Sequence, residues 1–260
     1  MPELKTLLFE VSDKIATITL NRPEAMNAFN STMMPEMKSV WQRVQADDDI
    51  HVVILRAAPG RAFCTGVDVR EGRAPPTNLW SHTDPGEYLS PKMNGCWKPV
   101  ITAVHGMCAG GAFYMINESD IVICSEDATF FDPHVTYGMT SALEPIGMTY
   151  RQGLGDVLRM VLLGNDERIG AQTALRQGIV SEVTTLDDLY TRARELATKI
   201  AAKPAAATQG SVRAIWESLD FPRSVALRTS LKYCQLGNPV GIPQVDRNAV
   251  MAGAKTFETR

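Results

Sequence analysis

Apolar and β-branched residues cluster over Leu7–Val11 and again over Ile15–Leu20, separated by polar Ser12-Asp13-Lys14. That pattern predicts two strands joined as a hairpin. Asn30-Ser31-Thr32 then precede Met33, Met34, Met37, Val40, Trp41 and Val44. Spacings of three and four place these residues on one face of a helix, which Asn30–Thr32 can cap and Asp47-Asp48-Asp49 closes. Val52–Leu55, Val100–Val104, Ile121–Cys124 and Ile179–Val183 are short apolar runs of strand length, as buried strands require. Pro99 introduces the second of them, a position a strand tolerates at its start. Helix-like stretches precede the last two, so strands alternate with helices and the expected class is α/β.

The pattern changes in two places. Between about Arg70 and Trp97 the chain carries Pro75-Pro76, Pro85-Gly86 and Pro91 among scattered aromatics, which predicts an irregular excursion suited to a lid or pocket wall. After residue 185 the strand pattern stops. Leu186–Ala202, Pro204–Ser218, Pro222–Cys234 and Gly241–Ala254 read as successive helices, with Pro204 and Pro222 where helices begin. The expected division is a core over residues 1–200 and a helical region over 201–260 that packs on a neighbouring subunit.

Composition narrows the partners. A chain of 260 residues with 45% hydrophobic residues can bury a sizeable core. Its 26 basic and 29 acidic residues are spread along the chain, so the net charge of −3 gives no reason to expect nucleic acid or an anionic membrane as partner. The five cysteines, Cys64, Cys96, Cys108, Cys124 and Cys234, are odd in number and form no CxxC pair, which argues against a disulfide framework or a zinc site. The start of the chain does not look like a leader, and no run approaches the roughly 18 apolar residues that span a bilayer. A soluble cytoplasmic protein is expected.

Two turns carry candidate chemistry. Ala62-Phe63-Cys64-Thr65-Gly66-Val67-Asp68-Val69 follows one strand, and Val104-His105-Gly106-Met107-Cys108-Ala109-Gly110-Gly111-Ala112 leads from another into a helix reaching about Glu118. Unpaired N–H groups at such turns, with the positive end of a helix dipole, can hold an anionic oxygen. Each turn would supply one fixed donor to an enolate or tetrahedral oxyanion. Equally, Gly110-Gly111 can serve only to let strand and helix pack closely.

Asn21-Arg22-Pro23-Glu24-Ala25-Met26-Asn27-Ala28, followed by Arg61–Val69, Ala103–Gly111, Asp120-Ile121 and Gly164–Val183, resembles the crotonase (enoyl-CoA hydratase/isomerase) superfamily in order and spacing over about residues 5–200. The resemblance implies a spiral of ββα turns with a helical C-terminal region, assembly as a homotrimer or dimer of trimers, and an acyl-coenzyme A substrate bound in a bent conformation. No resident cofactor and no metal are implied. It places the two oxyanion-hole N–H groups on Val67 and Gly111. Ala25, Thr65 and Arg70 fall along the nucleotide and pantetheine path, with Asp68 and Gly110 beside them. Arg70 stands where many members have a lysine near phosphate.

Hydratases of this superfamily use two glutamates as acid and base, and those positions align with Tyr114 and His134 in this chain. His134 keeps a group that exchanges a proton near neutral pH and is the leading candidate base. Glu144, in Ser141-Ala142-Leu143-Glu144-Pro145, either orients His134 or serves as an N-terminal helix charge. Tyr114 either donates a hydrogen bond to the acyl region or forms its wall. Trp80, His82 and Tyr88 are candidates to shape the acyl end, while His51 and His105 have no assigned part. Three readings follow: a hydratase/isomerase-like enzyme, a hydrolase of carbon–carbon bonds in β-keto or cyclic diketone thioesters, and a non-catalytic acyl-CoA binder.

Overall fold

The computed structural model describes residues 3–71, 78, 80, 84–253 and 258–259, in two compact units divided between Ile200 and Ala201. The first unit opens with β1 (Leu7–Ser12) and β2 (Ile15–Leu20), antiparallel through a turn at Asp13 and Lys14, both at positive φ. That backbone matches the right-handed twist of a two-residue hairpin. A short 3-10 turn at Pro23–Ala25 leads to α1 (Met33–Ala46), which buries Met33, Met37, Val40, Trp41 and Val44. Asn30 Oδ1 accepts the Met33 N–H at 3.0 Å, so the cap comes from the first of the three polar residues.

Beyond α1 the chain winds in repeated turns. β3 (Val52–Ala57) is followed by β4 (Ala62–Cys64), and β5 (Val100–Val104) by β6 (Met107–Ala109) and the short helix α2 (Phe113–Asn117). Next come β7 (Ile121–Ser125), β8 (Thr129–Phe131), α3 (Leu143–Met148) and α4 (Leu154–Leu163). The unit closes with β9 (Ile169–Gly170), α5 (Ala171–Gln177), β10 (Glu182–Thr184) and α6 (Leu189–Ala201). β3, β5 and β7 join a six-stranded sheet in the order β1-β2-β3-β5-β7-β10, the strands that follow them join a four-stranded sheet in the order β4-β6-β8-β9, and β9 and β10 take these places in reverse. All pairings after the first hairpin are parallel except β8 with β9. β2 and β5 are buried at every residue, and both are made of apolar residues and β-branched threonines.

The second unit holds α7 (Ala205–Ser218), α8 (Arg223–Gly241) and α9 (Arg247–Ala252), with Pro204 and Pro222 capping α7 and α8. Among the described residues no helix is long and apolar enough to cross a membrane.

Three boundaries differ from expectation. The strand expected over Ile179–Val183 is only Glu182–Thr184, because Gly178 ends α5 at positive φ and the Ile179 N–H turns back to Ala174 O at 3.0 Å. Helix α8 continues through Gly237 and Pro239 to Gly241 rather than ending at Cys234. Glycine is needed at 237, since a Cβ there would lie 3.1 Å from Ala206 O in α7. The expected final helix is a 3-10 turn, Ile242–Gln244, followed by α9.

Asn27 pins the first turn to the small sheet. It is fully buried at φ 53°, accepts the Arg22 N–H at 2.8 Å through Oδ1 and donates to Ala62 O at 2.9 Å through Nδ2. Replacing Asn27 by Ala strips both backbone groups of their partners and keeps the unfavourable backbone. The expected cost is about 2–4 kcal/mol, read as a lower urea midpoint with unchanged slope.

Candidate active site

Three neighbouring parallel strands of the small sheet end side by side, two of them opening into the turns singled out by sequence and the third into the segment that holds His134. β4 runs into Thr65-Gly66-Val67, β6 into Gly110-Gly111, and β8 into Asp132-Pro133-His134. In open α/β sheets ligands bind outside the carboxyl ends of strands, and this edge is such a place.

The Val67 N–H is freed by the pairing of its neighbours. Phe29 N–H donates to Gly66 O at 2.9 Å and Asp68 N–H to Phe29 O at 2.8 Å, so Val67 sits between the two bonds of a parallel bridge. Its own N–H points the other way, as alternate residues of a strand must. Gly111 follows Gly110 in a 3-10 turn, Gly110–Ala112, where the first N–H groups have no acceptor within the helix. The turns touch: a Cβ on Gly66, which is at φ 87°, would stand 3.1 Å from Gly111 N. A Cβ on Gly111 would stand 2.5 Å from the Phe29 ring. Close approach of two donors therefore depends on both glycines.

His134 stands against this turn, its Cε1 3.6 Å from where a Gly110 Cβ would be. Asp132 Oδ1 lies 2.7 Å from His134 Nδ1 and accepts the His134 backbone N–H at 2.9 Å. Ser141 Oγ donates to Asp132 Oδ2 at 2.7 Å, and Asp132 is wholly buried. Glu144, buried in the first turn of α3, puts Oε1 3.8 Å from the other ring nitrogen, Nε2. Of the two parts considered for Glu144, it stands in the first turn of α3 as a helix charge would, while Asp132 holds His134 Nδ1 and Glu144 faces the opposite nitrogen. An aspartate two residues before the histidine, with Pro133 bending the chain, was the sequence signal for it.

Charges in the cluster act on one another. The Asp132 hydrogen bond lifts the His134 imidazole above its ordinary range, with burial opposing. Burial pushes the Asp132 carboxyl up, but the bonds from His134 and Ser141 more than offset this and hold it low. Burial raises the Glu144 carboxyl. Tyr114, on α2, is pushed up by burial and by the hydrogen bond its hydroxyl donates to Asp84. Its phenol is thus a donor already engaged, packed against Gly86.

Residues expected along the coenzyme A path gather on the other side. Arg22 joins the Ala25 turn to the Val67 turn, donating to Ala28 O at 2.6 Å and to Asp68 Oδ2 at 2.9 Å. Asp68 Oδ1 also accepts the Arg70 N–H at 3.1 Å, so this carboxylate is occupied as a strut. Arg70 is exposed, and among the described residues its guanidinium has no ion pair. Ala25 and Thr65 are half-buried.

Trp80 is 78% exposed, Tyr88 takes the Lys38 ammonium of α1 on its ring face, and His82 lies outside the described residues. His105 is buried against Tyr190 at 3.0 Å, a structural contact. The excursion from Arg70 to Trp97 is only partly described, and it holds a 3-10 helix, Pro85–Leu89, started by Asp84.

The sequence model of the enoyl-CoA hydratase/isomerase family matches residues 10–232. The chain is 34% identical over 215 residues to (E)-benzylidenesuccinyl-CoA hydratase of Thauera aromatica, covering 82% of this chain and 83% of that one. It is 32% identical over 228 residues to short-chain-enoyl-CoA hydratase of Clostridium acetobutylicum, covering 86% of each. The crystal structure of an enoyl-CoA hydratase/isomerase from Mycobacterium paratuberculosis superposes with a TM-score of 0.87 at 32% identity, over 96% of each chain.

The Arg22–Asp68 pair has a pH signature. The Arg22 hydrogen bond holds the Asp68 carboxyl below its ordinary range, so its stabilisation is full above the unfolded value, near 4, and is lost as pH falls through the lower folded value. Asp68→Asn is therefore expected to be less stable than wild type at pH 6–7, with the gap closing as the pH is taken below about 4 in urea titrations.

Proposed function

The chain belongs to the enoyl-CoA hydratase/isomerase family, and from that premise we propose that it binds an acyl-coenzyme A thioester and transfers a proton at the carbon beside the thioester. Val67 and Gly111 N–H groups hold the enolate oxyanion in this reading. The observation that carries it is the convergence of three strand ends, which sets two outward N–H donors beside a histidine–glutamate pair. Fixed donors stabilise negative charge as it develops, and one such donor is worth about 3 kcal/mol in the transition state.

His134 Nε2 and Glu144 Oε1, 3.8 Å apart, serve as the proton-transfer pair where hydratases of the family use two glutamates. Arg70 meets a phosphate of coenzyme A, with Ala25, Thr65 and Gly110 along the path, while Asp68 braces that turn through Arg22. Tyr114 forms a wall of the acyl region. Coenzyme A enters as part of the substrate, and the reading calls for no metal. Assembly as a homotrimer or dimer of trimers, with the helical region at the subunit contact, belongs to the same reading.

A second reading is favoured by the Asp132 carboxylate on His134 Nδ1. A histidine so oriented can activate water for attack on a ketone carbonyl, and the enolate expelled by carbon–carbon cleavage would use the same two donors. Mass spectrometry separates the readings. Enoyl-, β-keto- and cyclic diketone-CoA esters, with (E)-benzylidenesuccinyl-CoA among them, are incubated with the protein in deuterated buffer. Water addition or deuterium exchange is expected, falling by about 10²–10⁴ in His134→Ala and by about 10²–10³ in Gly111→Val. A ring-opened or shortened acid would establish hydrolysis, and binding with no mass change on any ester would mark a binder. Intact turnover in Gly111→Val would place the oxyanion elsewhere.

A further inference from the structure

Asp132 has no part in the acid–base pair just described, yet it is the most enclosed carboxylate of the cluster. It is wholly buried, and both its oxygens are in use. Oδ1 receives the His134 backbone N–H at 2.9 Å and faces Nδ1 at 2.7 Å, while Oδ2 receives the Ser141 hydroxyl at 2.7 Å. An ionised carboxylate can only accept, so Nδ1 must carry a proton. Buried and held from three directions, Asp132 can neither swing to solvent nor reach a substrate.

His134 therefore sits between two carboxylates, Asp132 at Nδ1 and Glu144 at Nε2, the second at 3.8 Å. With a neutral imidazole the trio would carry two negative charges in a largely buried space, and with an imidazolium it carries one. The second state is favoured because opposite charges within about 4–6 Å favour the charged form of each. Glu144 is in turn acted on by Asp132 and by Asp84, which receives the Tyr114 hydroxyl, while His134 favours its charged form.

We propose that Asp132 is a positioning residue that sets the direction of proton transfer, so that the resting pair is an imidazolium Nε2–H and a Glu144 carboxylate. This rests on the reading of His134 and Glu144 as the acid–base pair and reverses the role first expected of the histidine. In water addition, the Glu144 carboxylate takes a proton from water as the hydroxyl bonds to the β-carbon. The electron pair of the double bond moves onto the thioester oxygen. His134 Nε2–H then gives its proton to the α-carbon as the carbonyl reforms. Glu144 returns the water-derived proton to Nε2 through solvent, so the only net change is one water added.

The Asp132 hydrogen bond that raises His134 acts in the same direction, toward the imidazolium. The test is Asp132→Asn, which keeps size and an acceptor oxygen and removes the charge. Two readouts are taken on the folded protein: the pH profile of kcat/KM, and the histidine ¹⁵N shifts across pH, with His134→Ala identifying the signal. Wild type should show an imidazolium at neutral pH, Nδ1 protonated above its titration, and a rate falling on the alkaline side as that proton is lost. Asp132→Asn should move both the alkaline limb and the NMR titration down by a unit or more, and lower kcat by about 100-fold with KM within threefold. Should Asp132→Asn fail to fold, Ser141→Ala, which removes the donor to Oδ2 and leaves the carboxylate a stronger acceptor, is expected to move both readouts up instead. An unmoved alkaline limb and unmoved shifts would overturn the proposal. The NMR titration decides the point about Asp132 even if His134→Ala and Glu144→Gln both turn over normally, an outcome that would remove the acid–base reading instead.

Discussion

Parallel register among β4, β6 and β8 is the constraint on which the site depends. Cys64 pairs with Cys108, and Ala109 with Phe131, so the residues just past each strand emerge in a row at one edge. Neighbouring strands lie about 4.8 Å apart, which is close enough for groups on adjacent ends to act on one substrate atom. Each strand is only three residues long, and nothing within it carries chemistry. What each contributes is the position and direction at which the chain leaves the sheet. In the larger sheet β2 and β5 are buried at every residue, so their side chains pack on both faces.

Polar groups near the site act mainly on geometry. Asn27 ties the Arg22 turn to β4, and Arg22 ties the same turn to Asp68. Met26 and Asn27 both adopt positive φ, a conformation that costs energy outside glycine and persists only where surrounding bonds enforce it. The Val67 N–H is directed outward as a result of Phe29 bonding both of its neighbours. In the same way Asn117 Nδ2 donates to Glu144 O at 2.8 Å, anchoring the start of α3 to the end of α2 and so placing the Glu144 carboxylate.

Electrostatics divide the site into two sides. Asp132 and Glu144 flank His134, and Asp84, which accepts the Tyr114 hydroxyl, acts in turn on Glu144. Beside Arg70, Asp68 is paired with Arg22 and Glu71 with Asn30 and Ser31, and the Arg70 side chain is exposed.

Periodicity and composition by themselves determined the class of the fold, the long strands of the core and the amphipathic α1, because those elements bury side chains whose spacing is written in the chain. The paired glycines and the Val67 turn were legible through order and spacing, and His134 through its aligned position. The small sheet was not, since three-residue strands are too short to show a period. The end of α8 was misjudged because Gly237 and Pro239 read locally as breakers, while close packing against α7 requires glycine inside the helix. Only the tertiary structure decided which carboxylate holds which nitrogen of His134. Asp132 and Glu144 lie on either side of the histidine in the chain, and distances along a sequence carry no information on which side of an imidazole ring a later helix will place its charge.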